Sequence, residues 1–295
     1  MKRILIACSG LTAIVMSVPA PGLRARTIEP TARTVYVSVV DNKGVALTDL
    51  TEADFAVKEN GKDYPVKVEV AKDPMQLAVV VDDNGTGVFR PAVAALVQGL
   101  LKPGTEVQIV TVLRQVTRVT EFTSNVDALR TAITSLVVRP GSSEGCFPVD
   151  GVLESLKDFA KKKAARPVAV IMTVGAADKS LAQSTEVMRE LKQTMASFHA
   201  ITLGNALVSS AASGMDQLNV NQMLDDGPKQ SGGKRQSLTN APAVGDAVKR
   251  LVDQLSNQYV LRYSLPDGVK MHERLQVSVK RQGAAVLAPT KIADK

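Results

Sequence analysis

The alternation of apolar and polar positions divides the chain into segments of different structural kind. Val35, Val37 and Val39 alternate with Tyr36 and Ser38 and run into Asp41-Asn42-Lys43-Gly44, which reads as a strand stopped by a turn. Phe55 and Val57 lead into Glu59-Asn60-Gly61-Lys62, after which Tyr64, Val66, Val68 and Val70 alternate with Pro65, Lys67 and Glu69. Asn-Gly between two alternating runs is the strongest short-range hairpin signal, because both residues tolerate positive φ. Residues 34–71 are therefore expected to form a small β unit. Beyond Asp73-Pro74 the pattern changes: Leu77-Ala78-Val79-Val80-Val81 is apolar on both faces, as a parallel strand covered by helices requires.

The same logic then repeats. A helix from about Pro91 to Leu101 precedes the strand Val107 to Val112, and a more alternating strand from Val116 to Phe122 reads as an antiparallel edge. Ser124 to Asp127 resembles a capping box opening a helix that ends near Leu136. Val152, Leu153, Leu156, Phe159 and Ala160 mark a further helix face, followed by the apolar strand Val168 to Met172, a helix over 184–196 and the strand Phe198 to Leu203. Residues 205–236, rich in Ser, Gly, Asn and Asp, read as a long surface excursion. Val244, Ala247, Val248, Leu251, Val252 and Leu255 follow helical spacing, after which Tyr259, Leu261, Tyr263 and then Leu275, Val277, Val279 alternate again. This order predicts an α/β fold: a doubly wound, mostly parallel, Rossmann-like sheet, with an additional β subdomain built from the N- and C-terminal strands. The expected segments are a leader (1–25), an N-terminal β segment (26–72), the α/β domain (73–255) and a C-terminal β segment (256–295).

The leader assignment rests on Lys2-Arg3 before an apolar run from Ile4 to Val18 that ends in Pro and small residues, the pattern of a secretory signal peptide. Cleavage is expected between Ala20 and Ala25, giving an exported chain, periplasmic or secreted. The run is shorter than the ~20 residues a membrane span needs, so no stable span is expected after cleavage. Leu5-Ile6-Ala7-Cys8 resembles a lipoprotein processing box, but too few apolar residues precede the cysteine. Loss of the leader leaves Cys146 as the remaining thiol, either buried and inert or available for pairing between copies.

The 295 residues are 45% apolar and 22% charged, the composition of a foldable globular chain. The net charge of +7 falls to +5 once Lys2 and Arg3 are removed. Lys157, Lys161, Lys162, Lys163 and Arg166 cluster at an expected helix end, where cations suit the macrodipole and are expected to be solvated. Aromatic residues total 3% with no Trp, which argues against the stacking platforms of nucleic-acid binding.

Open α/β sheets bind ligands at the carboxyl ends of their strands, and the first buried strand runs into Asp82-Asp83-Asn84-Gly85-Thr86-Gly87. This acidic D-x-N-x-T, in that order of strands and helices, resembles the von Willebrand factor type A domain. The chain is similar more particularly to the acidobacterial type A-related family, through Val37 to Gly44, Leu50-Thr51-Glu52-Ala53-Asp54-Phe55 and Gln258-Tyr259-Val260-Leu261-Arg262-Tyr263. The likeness spans roughly 34–285.

That resemblance implies a metal-ion-dependent adhesion site, normally D-x-S-x-S with a distant Thr and a distant Asp. Asp82 matches, Asn84 and Thr86 stand for the two serines, Cys146 falls at the Thr and Val174 at the second Asp. Only Asp82, Asn84 and Thr86 can offer oxygen to a hard cation, since a thiol is soft and Val has no donor. No cofactor is expected at so degenerate a site. Mg²⁺ or another divalent cation is the alternative, for which Asp83, Glu144, Asp150 and Asp178 are further oxygens. Without a metal, Asn84 and Thr86 are expected to cap backbone N–H groups of the loop or to touch a partner directly.

Other tempting groups read as structural. Ser231-Gly232-Gly233-Lys234 lacks phosphate-loop spacing and reads as a turn, Asp225-Asp226 as solvated loop, and His199 and His272 as satisfied or solvated histidines. No catalytic constellation is visible, so the expected function is an exported, non-catalytic binding or adhesion module for a protein or surface partner. A structural or assembly component, with Cys146 linking copies, is the alternative.

Overall fold

A computed structural model of the protein describes residues 31–136, 145–204, 214–266 and 273–293. The leader, Cys8, Glu144 and His272 lie outside the described residues.

The amino-terminal strands are β1 (Thr31–Val40), β2 (Phe55–Glu59), β3 (Lys62–Tyr64) and β4 (Lys67–Val70). The α/β body follows with β5 (Gln76–Asp82), α1 (Arg90–Leu100), β6 (Glu106–Thr111), β7 (Thr117–Thr123), α2 (Val126–Thr134) and α3 (Pro148–Lys162). It continues through β8 (Pro167–Thr173), α4 (Ser184–Thr194), β9 (Ser197–Leu203), α5 (Gly214–Ser231), β10 (Arg235–Leu238) and α6 (Pro242–Ser256). The chain then returns to β structure in β11 (Tyr259–Leu265), β12 (Leu275–Val279) and β13 (Ala285–Leu287).

The body is one sheet in the order β10-β9-β8-β5-β6-β7, parallel except for β7, which pairs antiparallel with β6. Every residue of β5 and β8 is buried, which explains their unbroken apolar runs. Strand alternation divides their side chains between two cores. Leu77, Val79 and Val81 pack with α1 and α6 residues such as Leu96 and Leu251, while Ala78 and Val80 pack with Val152 and Leu156 of α3. Gly151 is what lets α3 lie this close, since a Cβ there would sit 2.4 Å from Val112 Cγ1.

The terminal strands form two sheets of their own, β13-β1-β11-β4 and β12-β2-β3. β1 pairs antiparallel with β11, from Thr31 opposite Leu265 to Val37 opposite Tyr259, so the segments before and after the α/β body do close on each other. Between these sheets lies a third core containing Val35, Val37, Phe55, Val57, Leu261 and Leu275. It encloses a carboxylate: Glu59 is buried, accepts from the Tyr263 hydroxyl at 2.8 Å and lies 3.5 Å from Arg33. The expected hairpin is present, with Asn60 (φ 49°) and Gly61 (φ 81°) turning β2 into β3.

Body and β subdomain meet below the amino ends of the parallel strands. There the buried Arg166 guanidinium donates to Leu255 O and Gln258 Oε1 and stacks 5.5 Å from the Tyr36 ring, whose hydroxyl donates to Asp73 at 2.7 Å. Arg166 is therefore a buried tie, where its sequence position suggested a solvated helix end.

Two further expectations are corrected. Residues 205–236 are not one surface excursion: α5 and the start of β10 occupy most of that stretch. Met223 and Leu224 of α5 are buried against Phe198, and the glycines that read as loop signals are packing glycines. A Cβ at Gly227 would lie 2.7 Å from the Phe198 ring, and one at Gly233 would lie 1.7 Å from the Phe198 carbonyl oxygen. The cap of α2 is Asn125, whose side chain accepts from Asp127 N and Ala128 N, one position beyond the Ser124 start expected.

Candidate functional site

Numbered within the body, the strand order is 3-2-1-4-5-6, which reverses between β5 and β8, and a crevice at that reversal is where open α/β sheets take ligands. Asp82 ends β5 and pairs in register with Thr173, which ends β8. The Asp82 side chain is 1% exposed, and Thr173 Oγ1 donates to its Oδ2 at 2.5 Å. That hydroxyl in turn accepts from Gly175 N at 2.8 Å, and Val174 N donates to the Asp82 carbonyl at 2.9 Å.

Cys146 reaches the same place from the segment before α3. Its N–H and carbonyl bind Ala177 O at 2.9 Å and Lys179 N at 2.7 Å, which pins it against the loop after β8 with its side chain fully buried. The thiol lies against the Asp82 carboxylate, and the Asn84 backbone N–H is directed at its sulfur. Burial, then the adjacent Asp82 charge, push the Cys146 thiol well above its ordinary range, so it stays protonated. Asp82 is pushed up to about 6, first by burial, against which the Thr173 and Cys146 contacts work, with Asp83 and Asp178 adding like charge. Its Oδ1 is left without an N–H or O–H donor.

The loop after Asp82 differs from the expectation at Asn84. Asp83, rather than Asn84, holds it, accepting from Gly85 N at 2.9 Å and Gly87 N at 2.8 Å. Asn84, Gly85 and Gly87 all take positive φ, which small or Asx residues tolerate. The Thr86 hydroxyl donates to the Asp83 carbonyl at 2.8 Å and accepts from Val88 N at 3.4 Å, so it caps a backbone N–H of the loop as expected, and it does not join Asp82. Of the five positions, Asp82, Cys146 and the backbones of Asn84 and Val174 converge, while Thr86 stands apart on an exposed turn.

The other acids are also engaged. Asp150 accepts from Leu181 N and Ala182 N, and Asp178 accepts from Ser180 N at 2.9 Å. Ser180 Oγ accepts from Val149 N and Asp150 N, satisfying the start of α3. The donor set does not fit Mg²⁺: one buried carboxylate, a hydroxyl spent on it, a protonated thiol and an aliphatic side chain stand where near-octahedral oxygen ligands are needed. Among the described residues no group of three His, Cys, Asp or Glu side chains is placed to hold a metal ion.

Thr173 is the member that sequence reasoning missed. A polar residue ending the otherwise apolar run Val168 to Met172 was the available signal, and the parallel register with Asp82 gave it meaning. Two large apolar side chains are left in solvent on the segments that follow, Leu181 at 88% exposed just beyond Asp178 and Leu218 at 69% on α5. The Asn219 side chain ties the two segments together, donating to Ala182 O at 3.0 Å and accepting from Ser184 N at 2.7 Å.

The strand order, the antiparallel β7 edge and the acidic turn after β5 decide the architecture. In fold the α/β domain is von Willebrand factor A-like. No family model matches the sequence, and no curated protein matches it. Solved structures similar to the chain include proximal thread matrix protein 1 from the mussel byssus, at 13% identity over 64% of this chain and 50% of that one, TM-score 0.47. A von Willebrand factor type A structure from Catenulispora acidiphila aligns at 10% identity over 90% of this chain and 74% of that one, TM-score 0.45. The pilus adhesin SpaC from Lactobacillus rhamnosus GG, in its open conformation, aligns at 9% identity over 80% and 47%, TM-score 0.45. The chain thus spans about half the length of the mussel protein and of the adhesin. The narrower acidobacterial grouping stays a likeness of the motifs flanking the A-like domain.

Proposed function

We propose that the protein is an exported, non-catalytic binding or adhesion module, which meets a protein or surface partner directly at the carboxyl edge of the A-like domain. The observation that carries this reading is the burial of Asp82 against Thr173 and Cys146, which seals it from solvent, beside the exposed side chains of Leu181 and Leu218. Large apolar side chains left exposed beside a polar crevice suit an interface. The protonated Cys146 offers no thiolate nucleophile, and its full burial disfavours a disulfide between copies. Among the described residues no helix is long and apolar enough to cross a membrane. Export rests on the leader at 1–25.

Site-specific photo-crosslinking in cells that export the protein tests the interface. A photoreactive residue at Leu181 is expected to give a discrete adduct that persists in EDTA, while one at exposed Val126 on α2 gives none. An adduct from Val126 but not Leu181, or one lost on chelation, rejects the reading.

A separate expectation concerns metal. A cation bound only to the native state at a hundred times its Kd would stabilise by about 2.7 kcal/mol, roughly 5–10 °C in Tm for a domain of this size. The protein is expected to shift by under about 1 °C in millimolar Mg²⁺ or Mn²⁺, whereas Cys146→Thr with Val174→Asp gains a shift of that larger order. A large Mg²⁺ shift in the parent, abolished by Asp82→Ala, would reinstate a working adhesion-type cation site.

A further inference from the structure

A second surface lies on the flank of the molecule and shares no residue with the Asp82 crevice. β10 is the outermost strand of the six-stranded sheet, and among the described residues no strand pairs with its outer side. Its register decides which backbone groups are left over. Ala200 N donates to Lys234 O and Gly204 N to Leu238 O, so the even-numbered residues bond to β9. In a parallel ladder the intervening residues, Arg235 and Ser237, then point their N–H and C=O groups away from the sheet. Alternate outward-facing pairs of this kind are what an added strand requires.

The outer side opens onto a cleft of about 660 Å³ whose opposite wall is β13 and the end of β1, with Val40, Val286 and Leu287. Its charge is one-sided. Lys229, Lys234 and Arg235 line it against the single acid Asp225, which takes Arg235 Nη1 at 2.9 Å. Arg235 Nε is buried with no hydrogen-bond partner, and no ion pair engages Lys229 or Lys234 among the described residues. Cations on an edge strand can serve only to repel other strands. Here, however, they surround a volume in the range of ligand pockets, one wall apolar, one donor buried and unsatisfied.

We infer that the outer edge of β10 is a docking site for an extended acidic peptide segment of a partner protein. The peptide adds a short strand whose backbone bonds Arg235 and Ser237. Its acidic side chains meet Lys229, Lys234 and Arg235, and its apolar ones meet Val286 and Leu287.

The test uses the full chain with a fluorescent peptide alternating Glu and Val, its Lys-for-Glu counterpart, and a version N-methylated at alternate amides. Anisotropy is expected to show binding of the acidic peptide at least tenfold tighter than either control, weakening as salt rises. Hydrogen exchange at Arg235 and Ser237 is expected to slow at least severalfold with that peptide bound. Charge reversal by Lys229→Glu with Lys234→Glu should weaken binding tenfold or more. Ser237→Pro, which removes an outward N–H and leaves the β9 ladder intact, should do the same. If the proline variant fails to fold, the charge-reversed protein and the N-methylated peptide decide the matter without altering the backbone. Equal binding of all three peptides, or none together with aggregation of the charge-reversed variant, overturns the inference and leaves the cations as guards of an open edge.

Discussion

Replacing Asp82 by Asn is expected to stabilise the protein at pH 7 by up to about 3 kcal/mol relative to the parent, with the gain vanishing near pH 4. Burial raises the native Asp82 from an ordinary 3.8 to about 6, so the folded state holds this proton more tightly than the unfolded chain does. The associated stability is fully present below about pH 4 and is lost as pH rises through about 6. A shift of about two units corresponds to about 3 kcal/mol at ~1.4 kcal/mol per unit. Asn retains an acceptor for the Thr173 hydroxyl and carries no charge to desolvate, and it relieves repulsion with Asp83 and Asp178. Urea denaturation of both proteins at pH 4, 5, 6 and 7 measures the difference directly. A variant less stable than the parent at pH 7 would mean that the ionised carboxylate is stabilised in the fold, as a bound cation would do, and would count against the metal-free reading.

His199→Leu is expected to act in the opposite direction along the pH scale, with a similar size. His199 is 1% exposed, neither ring nitrogen has a hydrogen-bond partner, and burial pushes it down to about 4. It is therefore neither satisfied nor solvated, contrary to the expectation for a histidine in this strand. Strand alternation puts it on the face of Ile201, within the apolar layer beneath α6. With the folded pKa depressed below 6.5, the unfolded state takes up the proton first. Stability is then present above about pH 6.5 and is lost as pH falls through about 4, amounting to about 3 kcal/mol over that interval. The leucine variant should match or exceed the parent at pH 7, since two unpartnered ring nitrogens cost on the order of 1–3 kcal/mol each. Its advantage should widen by about 3 kcal/mol on acidification to pH 4. Parallel pH profiles for variant and parent, with the variant weaker throughout, would show that the ring is hydrogen-bonded in solution. Because Asp82 and His199 titrate over overlapping windows with opposite sign, the parent profile alone is expected to be shallow, and each single variant unmasks the other group.

Much of this molecule was legible in one dimension because burial and periodicity are coupled there. Leu77 to Val81 and Val168 to Met172 are apolar at every position because both faces of the sheet are covered. Asn60-Gly61 turns a hairpin because its backbone must take positive φ, and the alternation near both ends announced strands with one inward face. The location of the crevice followed as well, since Asp82 ends the first parallel strand. What the sequence could not carry was contact between distant segments. The sparse apolar residues of α5 look like loop until Met223, Leu224 and Gly227 meet Phe198, and Arg166 looks solvated until Tyr36, Leu255 and Gln258 surround it. Val174 was aligned to a missing acid, yet it is the side chain of Thr173 that reaches Asp82, because parallel register places those two side by side. Periodicity reports how much of an element is covered; which group bonds to a buried carboxylate, whether a thiol is sealed, and which side of an edge strand stays open depend on register and packing, and these exist only once the chain has folded.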